Sequence, residues 1–172
     1  MRKTLEVVGL ALLGVLYWIT YAAMNGPDRL PDRIPTHFAI SGQPNAWGSP
    51  AILWLLPLVG TGVYLLITLL SRIRFRSYNL PVRVSENNLP FIQDKTSDLV
   101  SWIKVEVLCL FCYIQWGIIQ AARLREFRLS AAVIPVFLAG LFGTLGWYLT
   151  AILRGAKARA DSPNGATHMQ GG

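Results

Sequence analysis

Apolar residues fall along this chain in four long blocks separated by polar stretches, rather than at a steady period of 2 or 3.6. A helix that crosses a bilayer needs about 20 mostly apolar residues. The blocks meet that length at about 7–24 (VVGLALLGVLYWITYAAM), 51–70 (AILWLLPLVGTGVYLLITLL), 99–122 (LVSWIKVEVLCLFCYIQWGIIQAA) and 131–153 (AAVIPVFLAGLFGTLGWYLTAIL). Three are nearly free of charge, and the third contains Lys104 and Glu106. Four such runs in 172 residues leave too little polar chain to cover them as core helices of a soluble globule. The pattern predicts an all-α integral membrane protein, a four-helix bundle filling residues 1–153 with a short ordered, partly extended outer loop.

The segments between the blocks differ in kind. Residues 25–50 form a loop rich in proline and glycine, residues 71–98 a basic loop opening on SRIRFR, and residues 154–172 a polar tail expected to be disordered. The arginines of SRIRFR alternate with Ile73 and Phe75, a pattern suited to an anionic lipid leaflet. Ser49 and Pro50 read as N-cap and first residue of the second helix, because proline there loses no intrahelical bond. Pro57 removes one backbone bond and collides with the carbonyl of Leu53, so a kink is expected. Thr96 or Ser97 is expected to cap the third helix. Ala139, Gly143, Gly146 and Thr150 share one face of the fourth, where small residues suit close packing within the bundle, or a homo-oligomer seam.

Composition agrees with the blocks: 53% of residues are hydrophobic and 15% charged, against roughly 25% charged in soluble domains. With the N-terminus inside, ten Lys and Arg fall on inner segments and five on outer loops, leaving Lys104 within a span. That bias predicts N-in/C-in in a bacterial cytoplasmic (inner) membrane. Arg123, Arg125 and Arg128 in the turn after the third block pull the other way. The net charge of +7 fits basic inner loops, with the lipid bilayer and not nucleic acid as the partner. Arg2 and Lys3 precede an apolar stretch as in a signal peptide, but TYAAMNGP is a poor cleavage site, so an uncleaved first helix is expected.

Candidate chemistry is sparse. Glu106 lies in a span, where an unpaired acid is costly and faces the bundle, a partner or water. Tyr113 and Gln120 follow it on one face, with Cys109 close by. The sharper reading is a ligand- or proton-coupled site; in the plainer one Glu106 is structural and Lys104 snorkels to the inner headgroups. Cys109 and Cys112 form a C-x-x-C inside hydrocarbon and read as buried apolar thiols. His37 stands in the outer loop without a zinc or catalytic ligand spacing around it. No metal or cofactor site is expected, and an enzyme is the weaker class.

The loop itself is the most informative stretch. In LPDRIPTHFAISGQPNAWGSP, residues 30–50, Ile34, Thr36, Phe38 and Ile40 alternate with Pro35, His37 and Ala39, which predicts an extended segment laid apolar side down. Gly42 and Pro44 supply a turn and its exit, and Trp47-Gly48 leads to the interface. These residues, Leu30-Pro31, Ile34-Pro35, His37-Phe38, Gly42, Pro44 and Trp47-Gly48-Ser49, resemble the bacterial membrane family called domain of unknown function 1648. The likeness covers about residues 15–70; Ala39 and Pro50 depart from the family's usual polar and basic residues. That domain also forms the N-terminal part of the SdpI-type immunity proteins, which are longer, with more than four spans. The resemblance implies a non-enzymatic immunity or signalling protein, with a secreted toxic peptide or protein outside and a cytoplasmic regulator inside. Pro35, His37, Phe38, Gly42, Pro44, Trp47 and Gly48 are the loop residues expected to shape or carry recognition. The alternative is a carrier or channel subunit working through Glu106.

Overall fold

A computed structural model describes residues 1–28, 30–73, 81, 83–124, 127 and 129–160. Helix α1 spans Arg2–Asn25, strands β1 and β2 span Ile34–Phe38 and Pro44–Gly48, and helices α2, α3 and α4 span Leu55–Arg72, Leu89–Arg123 and Val133–Ala160. All four helices are long and apolar enough to cross a membrane. Helices α1, α2 and α3 pack on one another, whereas α4 packs chiefly along α3, so the bundle among the described residues is a three-helix core with a fourth helix on its flank. The two strands pair antiparallel as a hairpin at one end, here the hairpin end.

Entry into α2 follows its prolines. The hydroxyl of Ser49 accepts from the amide of Ala51 at 3.3 Å, and a 3-10 turn runs over Pro50–Trp54 before α2 begins. Pro57 therefore sits in the first turn of α2, where its ring needs no mid-helix kink. Its missing N–H still leaves the carbonyl of Leu53 without its usual helical donor, a costly state in lipid. Gln115 of α3 supplies the replacement. Its Nε2 donates to Leu53 O at 2.8 Å and to Thr20 Oγ1 at 2.6 Å, and the Thr20 hydroxyl donates to Leu16 O at 2.8 Å. Gln115 and Thr20 are both fully buried, so this clasp joins α1, α2 and α3 near the hairpin end.

A second clasp joins the same helices near the opposite end. Lys104, 0% exposed, does not snorkel as expected; it turns inward, where its ammonium lies 2.7 Å from Glu6 Oε1. The ammonium also donates to Thr68 Oγ1 at 2.9 Å and stands 4.4 Å from the centre of the Tyr64 ring. Tyr64 completes the cycle by donating to Glu6 Oε2 at 2.9 Å. A partner within reach makes the inward rotamer favourable, since each charge then offsets the desolvation of the other. Between the clasps Gly60 admits Leu16 and Leu108; a Cβ there would stand 3.2 Å from a Leu16 methyl carbon.

Two boundaries lie beyond the apolar blocks. α3 starts at Leu89 instead of 99, with Asn88 and not Thr96 or Ser97 as its cap residue, and α4 continues to Ala160 instead of fraying after 153. The extensions stabilise each other: Ile92 packs with Ile152 and Ala156, and the amide of Asn88 donates to Ala156 O at 3.1 Å. Ser97, inside the helix, donates to Ser71 O at 3.1 Å and ties α3 to the end of α2. Charged residues such as Asp94 and Lys95 end a membrane span but not a helix. Arg74 and Arg76 of the basic loop and residues 161–172 of the tail lie outside the described residues.

The buried pair yields a stability test. Lys104→Met leaves Glu6, 27% exposed, facing the seam without its cation, and should cost about 3 kcal/mol, as breaking buried pairs does. Reversible unfolding in mixed micelles measures this. Glu6→Leu combined with Lys104→Met should recover most of the loss, because both desolvation costs disappear together.

Candidate functional site

Three features near the membrane faces and along the flank could meet a partner: the hairpin, the cleft beside its tip, and the groove between α3 and α4. The hairpin is anchored at its base. Ile34 is fully buried in a cluster with Ala23, Leu53 and Ile119, and Pro35 beside it is equally enclosed. Register pairs Ile34 with Gly48, Pro35 with Trp47, His37 with Ala46 and Phe38 with Pro44, with irregularities on either side of His37. The expected alternation does not hold: Pro35 is buried with Ile34, and Ile40, which falls in the turn beyond β1, stands in solvent at 97% exposure.

The turn explains the motif glycine. Ala39 and Gln43 close a loop of three residues, with Gly42 N donating to Ala39 O at 2.8 Å and Gly42 at φ +76°. A three-residue hairpin loop places its last residue in the left-handed region, where glycine alone is unstrained. Gly42 also touches the α3–α4 connection. Its carbonyl accepts from Leu129 N at 3.1 Å, and a Cβ on Gly42 would run into the Leu129 carbonyl. Gly48 is tight too, since a Cβ there would lie 2.9 Å from Thr36 Cγ2.

The remaining motif residues take different places. His37 is exposed, with Nδ1 2.6 Å from the side-chain amide oxygen of Asn45. Trp47 is about half exposed, and its carbonyl accepts from Arg33 at 3.2 Å. Phe38, partly buried, lines a cleft of about 520 Å³ together with Ile40, Ile114, Leu129, Ile134 and Pro135. The hairpin motif and the start of α4 thus come together at one apolar opening.

Glu106 stands elsewhere. It faces α4, where the Thr144 hydroxyl donates to Oε1 at 2.5 Å, while Oε2 is enclosed and has no hydrogen-bond partner among the described residues. Lys104, two residues before it, faces the opposite side of α3 and belongs to Glu6, so the two intramembrane charges do not form one site. Tyr113 joins Glu106 along the groove, as does Cys109, and both cysteines are free thiols. Among the described residues no cluster of three His, Cys, Asp or Glu could hold a metal. The small residues of α4 do not pack inside the chain as expected: nothing lies within 4 Å of a Cβ built on Gly140, Gly143 or Gly146.

Sequence reasoning passed over Glu6 and Gln115. A signal existed for each. Lys104 in a span demanded an acid at its own depth, and Glu6 adjoins the first apolar block. The carbonyl freed by Pro57 demanded a donor, and Gln115 is one of few in the third block.

The double demand at Gly42 makes a direct test. Gly42→Ala should destabilise the hairpin by about 2 kcal/mol or more, from the left-handed backbone and the clash with Leu129. Faster amide exchange at Ala39 and Leu129 than in the parent protein is the expected readout, with α1–α3 exchange unchanged.

Comparison with known proteins bears on this same region. An uncharacterized protein of Archaeoglobus fulgidus is 32% identical over 75 residues, which cover 44% of this chain and only 38% of that relative's length. No solved structure matches the chain. Residues 9–61, which hold most of α1, the whole hairpin and the start of α2, match the family model described as a domain of unknown function, DUF1648. The likeness read from the proline, glycine and tryptophan pattern of the loop is thereby confirmed over these residues, in a chain whose four long apolar helices make it a multi-pass membrane protein.

Proposed function

We propose that this is a non-enzymatic protein of the bacterial inner membrane, N-in/C-in, whose outer hairpin recognises a secreted toxic peptide or protein. One observation carries the reading. The hairpin is built rigidly from Ile34 to Gly42, yet it presents Ile40, 97% exposed, beside an apolar cleft of about 520 Å³. A contiguous apolar surface marks an interaction site, and Ile40 joins Phe38, Ile114, Leu129, Ile134 and Pro135 around this opening. Amphipathic toxic peptides offer the matching apolar face. His37 and Asn45 form a polar flank that can exchange their mutual bond for one to a ligand. The resemblance to SdpI-type immunity proteins supports the same assignment, with the loop between α2 and α3 left to a cytoplasmic regulator.

A carrier or channel subunit is the second reading, favoured by the unpartnered Oε2 of Glu106. The two make opposite demands on variants. Under immunity, cells lacking the protein die when co-cultured with toxin-secreting siblings, and the restored gene protects them. Ile40→Asp should then lower survival at least ten-fold at equal membrane abundance, while Glu106→Gln still protects. If Ile40→Asp protects fully and Glu106→Gln abolishes a solute flux, the carrier reading replaces the first.

A further inference from the structure

The groove between α3 and α4 holds chemistry that the hairpin does not use. Two clefts, of about 570 and 500 Å³, meet at Trp102 and Glu106. The first reaches Lys95 and the second Tyr113, eighteen residues apart on α3, about 27 Å at 1.5 Å per residue. Each volume lies within the roughly 300–1,000 Å³ typical of small-molecule sites. The floor is open along α4, since a Cβ on Gly140 or Gly143 would meet nothing within 4 Å.

The polar content of this groove is lopsided. Thr144 has already given its hydroxyl hydrogen to Glu106 Oε1, so the unmet capacity is an acceptor, Oε2. The cation nearest in sequence, Lys104, is committed to Glu6 on the other side of α3. Lys95, which lines the far end of the first cleft with Met1, stands eleven residues from Glu106 on the helix, about 16 Å along its axis. Trp102 and Tyr148 line the cleft with the carboxylate, and Trp147 lines it too with three quarters of its surface exposed. A carboxylate without a counter-charge is costly in hydrocarbon, and aromatic faces attract cations. The apolar walls demand that the cation be lipophilic.

We propose that the α3–α4 groove binds a lipophilic organic cation, with Glu106 as counter-ion and Trp102, Tyr148 and Trp147 as aromatic walls. The cation enters from the lipid between the helices, and its charge rests beside the Glu106–Thr144 contact. The site is independent of the hairpin and requires no transport.

Equilibrium dialysis of tetraphenylphosphonium against the full-length protein in phosphatidylcholine nanodiscs tests this, with empty discs as the blank. Saturable binding above the blank is expected. Glu106→Gln should weaken it at least ten-fold. Gly143→Leu, which fills the floor without touching the charge and improves helix propensity, should weaken it comparably. Tetraphenylborate, an anion of the same shape, should show no saturable binding. Equal binding of the anion, or wild-type affinity in Glu106→Gln, overturns the proposal and leaves an apolar groove filled by lipid. Absence of binding to a wild-type protein that crosslinks as a dimer through α4 also overturns it, in favour of a second copy in the groove.

Discussion

The ion pair of Glu6 with Lys104 is the constraint around which the membrane core is arranged. In lipid, apolar side chains gain little by leaving the solvent for one another, so apolar seams tolerate sliding and rotation. A buried ammonium does not. Lys104 is satisfied only where Glu6, Thr68 and the Tyr64 ring converge on it, which sets the depth and rotation of α1, α2 and α3 together. Such a pair need not add stability over a well-packed apolar replacement, but it excludes alternative registers.

The clasp at the hairpin end works by a different route to the same result. Proline at position 57 leaves a carbonyl unpaired, and Gln115 answers it from the neighbouring helix while Thr20 holds the amide from α1. With both ends of the three-helix core pinned, the hairpin has a firm base. Its own rigidity comes from Ile34 in the core below and from the bond between Gly42 and Leu129 at the tip. That last contact links the hairpin to the α3–α4 connection, so the opening beside Ile40 depends on elements from both halves of the chain.

Helix α4 stands apart from this scheme. It is fastened to α3 at two levels, by Asn88 and the Ile92 cluster at one end and by Thr144 with Glu106 in the middle. Gly155 packs against Phe91, but Gly140, Gly143 and Gly146 meet no described atom at their Cβ positions, which leaves a groove where a tighter bundle would have buried them. Among the described residues one carboxylate oxygen on this flank, Glu106 Oε2, and one amide oxygen in the core, Gln115 Oε1, are left without a hydrogen-bond partner.

Much of this was legible in the order of residues. Four apolar blocks determine the spans because a bilayer accepts little else, and the residues between 30 and 50 mark an extended segment, a turn and a family likeness, though not the second strand that completes the hairpin. Gly42 was readable because a positive φ is a local property, and Ser49 because capping is. Partnerships were not readable in this way. Whether Lys104 would reach for headgroups or for Glu6, whether Ile40 would pack or stand free, and which helix would cover the glycines of α4 all depend on the relative rotation of segments far apart in sequence. Hydrophobic periodicity is degenerate in that rotation, and where β1 ends and its turn begins decides whether Ile40 packs or faces solvent. Only the tertiary structure, where each buried polar group must find a partner across helices, decided those questions.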